Sequence, residues 1–422
     1  MSKNKMENKM KIWLLNPYGP LPDEGWRKYR NILLGEELAS TGNEVTWFAS
    51  RFSHHFKRFR KGNGYKTNVR CFNVDYIETR SYSNNIGIGR LIFEMSYCIN
   101  AYFKLRKLDA PDVIIAADPS QFVGALGRIL ANKYNSKLIL DLMDEWPELF
   151  EKATSYKLKY VAKVIVPFFK LLRKKNYKRA DGVIALGKNY LNLAKSLARK
   201  NTPNELIYNG MDVEQFKTWS HDTDISSLIN TEKDDDSIWC VYAGSLGVSG
   251  NNYDLPAIIE AAKYFNKLDT RYKFLVAGAG AGKKYILEEV TKNSLENIFF
   301  LGSLESKQLA AIYFKCDIGL AVYGPGSNVD MPDKLYDYTA AGLAIISSLT
   351  GEAKEVIFSE NIGMYYEANN HKEFILRLKH LGNDANKLRV IKENSRKLGK
   401  VFDSNIQTKK IHSLINKLYD KK

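Results

Sequence analysis

Short apolar runs ending in glycine, aspartate or asparagine alternate with longer amphipathic stretches along this chain, in two successive series of similar size. That alternation is the pattern of parallel sheets with crossover helices, so the expected fold class is α/β. In the first series the runs are residues 12–15, 45–49, 113–117, 138–142, 183–186 and 206–208, with a helical pattern from 26 to 40 that stops near Gly42. In the second they are 239–243, 274–277, 298–301, 318–322, 344–346 and 364–366. The stretch 211–238 is polar, carries Asp234, Asp235 and Asp236, and reads as a linker with a short helix at most. The tail 385–418 reads as helix. The expected organisation is an N-terminal Rossmann-like domain over 1–210, joined by a C-terminal helix over 403–422, and a second Rossmann-like domain over 237–402. Sites in open parallel sheets lie outside the carboxyl ends of the strands, so two such sheets facing each other are expected to make an interdomain cleft.

At 422 residues the chain has room for two or three domains. Apolar residues at 45%, charged residues at 26% and 39 glycines plus prolines exclude collagen-like, disordered and low-complexity classes. The longest apolar runs fall well short of the roughly 18 residues a membrane span needs, and mean hydropathy is −0.34. The lysine-rich start is followed by an apolar run of only residues 12–15, too short for a signal-peptide core of about 7 to 15 residues. Cys71, Cys98, Cys240 and Cys316 lie far apart without a Cys-x-x-Cys pair, which suggests neither a disulfide framework nor a zinc site. A reduced, cytoplasmic setting is the expectation.

The net charge of +16 is unevenly placed. Residues 1–200 hold 36 Lys/Arg against 18 Asp/Glu, whereas 201–422 hold 27 against 29. Residues 152–179 carry ten basic side chains and no acid, interleaved with apolar ones, and residues 50–70 carry seven and no acid. Such surfaces suit an anionic membrane, where apolar groups enter the interface and cations meet headgroups. Nucleic acid also accepts them, and solvated helix faces are the plain alternative. The membrane is preferred, with Lys170, Arg173, Lys174 and Lys175 facing it, Phe168, Phe169 and Leu172 adding apolar contact, and Pro167 interrupting the helix.

The stretch Asp330-Met-Pro-Asp-Lys-Leu-Tyr-Asp-Tyr-Thr-Ala-Ala-Gly342 carries the most chemistry. Pro332 suits the first turn of a helix and Gly342 its end. A lysine in a first turn opposes the helix dipole, so Lys334 makes most sense sharing an anionic ligand such as a diphosphate with the backbone N–H groups. Asp337, one turn further in, is placed to accept hydrogen bonds from sugar hydroxyls. An exposed ion pair at i, i+3 is the alternative.

This stretch resembles the donor-binding helix of retaining glycosyltransferases of family four, which have the GT-B fold. Their second acidic position matches Asp337; the first falls on Val329, with Asp330 beside it, as in bacterial surface-polysaccharide members that carry Met-Pro-x-Lys-Leu-x-x-Tyr here. Residues 12–20 with Gly19 and Gly25 resemble the first strand and its glycine loop. Asp141-Leu-Met-Asp-Glu-Trp-Pro-Glu148, Asn209-Gly-Met-Asp212, Tyr242-Ala-Gly-Ser-Leu-Gly247 and Cys316-Asp-Ile-Gly-Leu320 follow in family order. The basic residue many members carry after the second glycine loop is Asn251 or Asn252 here.

The resemblance implies a retaining glycosyltransferase moving a sugar from a nucleotide-diphosphate donor to a lipid-linked saccharide, on the inner face of the cell membrane. Gly247, Lys334, Asp337 and Asp330 are then donor-binding residues, and Asp144 orients the acceptor hydroxyl or caps a loop. No cofactor, metal or nucleic acid is expected. The alternatives are a non-catalytic basic module for nucleic acid or membrane, and a GT-B sugar-nucleotide epimerase. Three further signals are set aside: Gly278-Ala-Gly-Ala-Gly282 as a loop entering a helix, Asp234 to Asp236 as a solvated charge run, and His54 and His55 as surface residues.

Overall fold

A computed structural model describes residues 9–25, 27–83, 85, 87–144, 156–229, 231–247, 252–327 and 329–420; for 156–162 and 164 it describes helical backbone alone. Residues 145–148 of the Asp141–Glu148 motif, 152–155 of the basic segment, Trp26 and Asn251 lie outside the described residues.

The chain divides into two compact units, residues 1–208 with 408–422, and residues 209–407. In the first unit the strands are β1 (Lys11–Leu15), β2 (Glu44–Ser50), β3 (Phe52–Ser53), β4 (Arg58–Phe59), β5 (Gly64–Lys66), β6 (Phe72–Ile77), β7 (Val113–Asp118), β8 (Lys137–Leu142), β9 (Gly182–Ala185) and β10 (Asn204–Leu206). Eight of them form one sheet in the order β10-β9-β8-β7-β1-β2-β6-β5, parallel except for β5, while β3 and β4 pair as a small antiparallel ribbon. Central strands such as β7, VIIAAD, are buried along their whole length and apolar up to the terminal Asp118, because helices cover both faces. The order reverses between β1 and β7, which makes that junction the unit's topological switch point.

The second unit holds β11 (Ile238–Ala243), β12 (Tyr272–Ala277), β13 (Ile298–Gly302), β14 (Ile318–Ala321), β15 (Ala344–Ser347) and β16 (Gly363–Tyr365). Their order, β13-β12-β11-β14-β15-β16 and parallel throughout, is the doubly wound 3-2-1-4-5-6 arrangement, with its switch point between β11 and β14. The stretch read as a linker belongs to this unit. Within it the helix Val213–Asp222 buries Phe216 against Tyr313 and Phe314, which holds the segment on the domain. The tail is two helices, Ala385–Val401 and Ser404–Tyr419, broken where Met211 and Asp403 pair.

Pro167 does not interrupt its helix, which runs unbroken as Tyr156–Arg179. Among the described residues no helix is long and apolar enough to cross a membrane.

Candidate functional site

In the second unit the site is built where β11 and β14 part. Their pairing covers only Cys240 with Ile318 and Val241 with Gly319. Where that pairing ends, the hydroxyl of Tyr338 shares its one proton between Val241 O at 3.3 Å and Leu320 O at 3.1 Å. Gly319 makes room, because a Cβ there would fall 2.4 Å from the Tyr338 ring. Tyr338 thus pins the helix Asp333–Ala341 at the switch point, with Pro332 as N-cap and Gly342 as C-cap in the left-handed conformation. Asn209 reaches the start of the same helix, its amide donating to Asp333 at 3.0 Å.

Lys334 projects from the first turn and is 8% exposed. Its Nζ sits 4.2 Å from the centroid of Tyr242 at the end of β11, 4.7 Å from Tyr323 just past β14 and 5.9 Å from Tyr253. Among the described residues that Nζ has no hydrogen-bond partner. Burial pushes its pKa down to about 7, against a weaker opposing pull from Asp337. A buried ammonium without an acceptor is costly, and a helix N-terminus beside it attracts anions, so the arrangement is made for an anionic group. Asp337 lies one turn on and partly exposed, and Asp330 is buried just ahead of the helix.

Gly244 and Gly247 bracket the loop after β11. A Cβ on Gly244 would sit 3.2 Å from Lys334 Nζ, and one on Gly247 would meet the Tyr253 ring at 2.7 Å. A second glycine loop carries this one. Gly244 N donates to Ala277 O, Leu246 N to Ala279 O and Gly282 N to Leu246 O. Gly278 and Gly280 have φ of +144° and +147°, and a Cβ would stand 1.9 Å from Gly244 O and 2.1 Å from Leu246 O. The run Gly278–Gly282, set aside from sequence, is therefore the support of the site loop. Its signal was the glycine at every second position.

In the first unit Gly19 (φ +115°) turns the chain after β1, close to Asn31 and Trp47, and Gly25 (φ +79°) closes the short 3-10 turn Pro22–Glu24. Arg60 holds this loop, donating to Gly19 O at 2.7 Å and to the Glu24 carboxylate at 3.0 Å. At the switch point Glu94 is buried and accepts from Tyr18, from Ser120 at 2.8 Å and from Arg90 at 3.2 Å. Of the two histidines read as surface residues, His55 is exposed and His54 is half-buried. His54 bonds Tyr82 and meets the Tyr18 ring edge-on, and burial, with Lys57 and Arg90 nearby, lowers its pKa to about 4. Sequence reasoning missed Tyr18, Arg90 and Glu94, whose helix it did not mark.

Asp144 lies two residues past the carboxyl end of β8, partly exposed. Its motif partner Asp141 is buried in a two-point ion pair with Arg30 at 2.7 and 2.8 Å, a structural role. Of the four cations assigned to the membrane, Lys170, Lys174 and Lys175 are exposed, but Arg173 is buried where its charge acts on the Tyr177 hydroxyl. Phe169 is likewise buried, against Phe122, while Phe168 and Leu171 are exposed. Helical periodicity turns Arg173 and Phe169 inward and their neighbours outward. Among the described residues no three His, Cys, Asp or Glu side chains group as metal ligands.

Residues 232–398 match the family described as glycosyl transferases group 1, so the second unit carries a glycosyltransferase domain. No curated protein matches the chain. Among solved structures it is similar to sucrose-phosphate synthase (tll1590) from Thermosynechococcus elongatus, with TM-score 0.72 and 15% identity over 97% of this chain and 99% of that one. It is also similar to Anabaena Alr3699/HepE in complex with UDP, with TM-score 0.66 and 15% identity over 97% and 100%. A third is WaaG, a glycosyltransferase involved in lipopolysaccharide biosynthesis, with TM-score 0.57 and 12% identity over 96% and 99%. The fold is GT-B, with two Rossmann-like parallel-sheet domains.

Proposed function

We propose that this chain, a GT-B protein with a glycosyl transferases group 1 domain, is a retaining glycosyltransferase of the family-four, surface-polysaccharide type. It moves a hexosyl or N-acetylhexosaminyl group from a nucleotide-diphosphate donor to a lipid-linked saccharide, at the cytoplasmic face of the membrane. The observation that carries the donor reading is Lys334, a buried ammonium without a hydrogen-bond partner among the described residues, at the switch point of a doubly wound sheet. HepE, similar in fold, is bound to UDP, and WaaG acts in lipopolysaccharide biosynthesis, which supports the substrate class and setting.

In this reading the diphosphate lies against Lys334 and the glycine loop Gly244–Gly247, and Asp337 accepts from ribose hydroxyls. As the bond from the sugar's anomeric carbon to the phosphate oxygen breaks, the acceptor hydroxyl attacks on the same face. The departing phosphate oxygen takes its proton. Lys334 and the helix N-terminus stabilise the charge that develops on the diphosphate, so no metal is required. Asp144 orients the acceptor hydroxyl. The exposed Phe168, Lys170, Leu171, Lys174 and Lys175 support membrane docking of the helix Tyr156–Arg179.

A thermal-shift titration tests the reading. UDP or GDP is expected to raise the melting temperature of the wild type and not that of Lys334→Ala. Asp144→Ala is expected to keep the nucleotide shift and lose turnover. A melting temperature indifferent to every nucleotide would return the chain to the class of basic binding modules.

A further inference from the structure

The helix Ile88–Leu105 has one face buried and one face bare. Phe93, Glu94, Tyr97, Ala101 and Leu105 face the domain. On the other side Ile88, Ile92, Met95, Ile99 and Phe103 are between 47% and 75% exposed. At about 100° per residue these five fall within an arc of about 80°, and at about 1.5 Å per residue the stripe is about 22 Å long. Exposed apolar residues scattered singly need no explanation, but a continuous stripe does.

The surroundings decide what covers it. The helix's only acid, Glu94, is buried, so no carboxylate stands on the bare face. At the C-terminal end Arg106 lies over the Phe103 ring at 4.8 Å, next to the exposed Lys107. At the other end Lys57 donates to Asn85 at 2.6 Å, which brings up the β3–β4 ribbon with exposed Arg58 and Phe59. Arg80 is tied alongside, its backbone N–H donating to the Ser96 hydroxyl at 3.0 Å. The nearby acids pair with basic side chains, Glu78 with Arg51, Asp75 with Lys104 and Asp109 with Lys11, while Glu78 and Asp109 themselves stay exposed. An apolar stripe with cations at both ends matches an interfacial helix on anionic lipid, whose apolar face enters the acyl boundary while Lys and Arg meet headgroups. A second copy of the chain would bring these same cations together.

We infer that the helix Ile88–Leu105, with the β3–β4 ribbon, is a docking surface for an anionic phospholipid bilayer. It is separate from the helix Tyr156–Arg179, and it serves the reading that the acceptor is lipid-borne, on which it rests. Docking through Ile92 and Ile99 is apolar at its centre and cationic at its ends, so binding needs both lipid charge and an intact stripe.

The test is co-sedimentation of the full chain with vesicles of phosphatidylglycerol and phosphatidylcholine, or of phosphatidylcholine alone. Wild type is expected to bind only the anionic vesicles. The double variant Ile92→Asp/Ile99→Asp is expected to bind at least tenfold more weakly, with an unchanged melting temperature and an unchanged nucleotide-induced shift. Met95→Trp, a milder change, is expected to show a blue-shifted emission with anionic vesicles and quenching by brominated acyl chains. Undiminished vesicle binding by the double variant, or no spectral change in Met95→Trp, overturns the inference. So does a wild-type dimer that the double variant converts to monomer. If the nucleotide shift persists while vesicle binding is absent, the donor site stands and the docking surface falls. If no nucleotide shifts the wild type, the donor reading itself has failed.

Discussion

The Nζ of Lys334 lies 4.2 Å from the centroid of the Tyr242 ring, so a lysine from the start of one helix touches the last turn of chain before the glycine loop of β11. Cation–π attraction favours the charged amine, yet burial outweighs it and brings the pKa down to about 7. This lysine is therefore close to its own titration point in the free protein. Removing it as Lys334→Met is expected to weaken UDP or GDP binding by about 10- to 100-fold, the scale of a lost charge-assisted contact of about 1.5–3 kcal/mol. Isothermal titration checks this, and equal affinity of variant and wild type would refute the donor site.

Donor binding is expected to take up a proton above neutral pH. At pH 8 the free Lys334 amine is mostly neutral, and a diphosphate beside it favours the charged form, so part of a proton enters with the ligand. Titrations at pH 8 in buffers of different ionisation enthalpy should show uptake by the wild type that Lys334→Met lacks.

The same shift sets a stability trend in the unliganded chain. Between about 7 and the ordinary lysine value of 10.5 the unfolded chain holds a proton that the folded one lacks, so stability rises with pH across that window. Below about 7 both states are protonated and the cost is constant. Denaturant melts at pH 7.5 and 9.5 are expected to show a smaller rise for Lys334→Met than for wild type. Parallel trends would place the amine's titration outside the window.

Much of this was legible where the reason is local. In Asn209-Gly-Met-Asp212, Gly210 has φ of +64°, a Cβ there would stand 2.2 Å from Phe402 O, and Asp212 caps the next helix by accepting from Gln215 N at 2.9 Å. Pro332 and Gly342 likewise bracket their helix because cap chemistry belongs to single residues. What stayed hidden depends on contacts between distant segments. The helix Ile88–Leu105 is apolar on two faces, which blurs its period, and β6 alternates apolar and polar residues in a run that paired with no motif. Arg173 and Arg60 look like surface charge in basic runs, but each is buried by chain far away. A basic run shows its charge and not which members of it the fold consumes.

The glycine support loop gives a graded prediction. Gly42→Ala places a Cβ in open space at φ +91° and is expected to cost only the left-handed backbone penalty of roughly 1–2 kcal/mol, with nucleotide affinity unchanged. Gly280→Ala adds the collision with Leu246 O, so it should destabilise more and displace the Gly244–Gly247 loop, weakening UDP or GDP binding. Melting curves with and without nucleotide compare the two. Equal costs with equal affinities would mean that the second loop does not carry the first.

The final prediction concerns Arg30 and Asp141, which are 1% and 4% exposed and joined at two points, with Arg30 Nη1 also donating to Ile207 O at 2.6 Å. One guanidinium thus links the helix Arg30–Ser40 to β8 and to the chain just past β10, across three strands of sheet order. Arg30→Met leaves the Asp141 carboxylate buried and unpaired and the Ile207 carbonyl short of a donor, a loss on the order of 3–5 kcal/mol. The double variant Arg30→Met/Asp141→Leu removes both charges together and is expected to recover most of that loss, because the desolvation cost disappears with the pair. Denaturant melts of the two singles and the double close the cycle. Turnover of the double variant, once its fold is restored, separates Asp141 from Asp144: activity retained assigns Asp141 to structure alone. A double variant as unstable as Arg30→Met would instead show that Asp141 has a role beyond pairing Arg30.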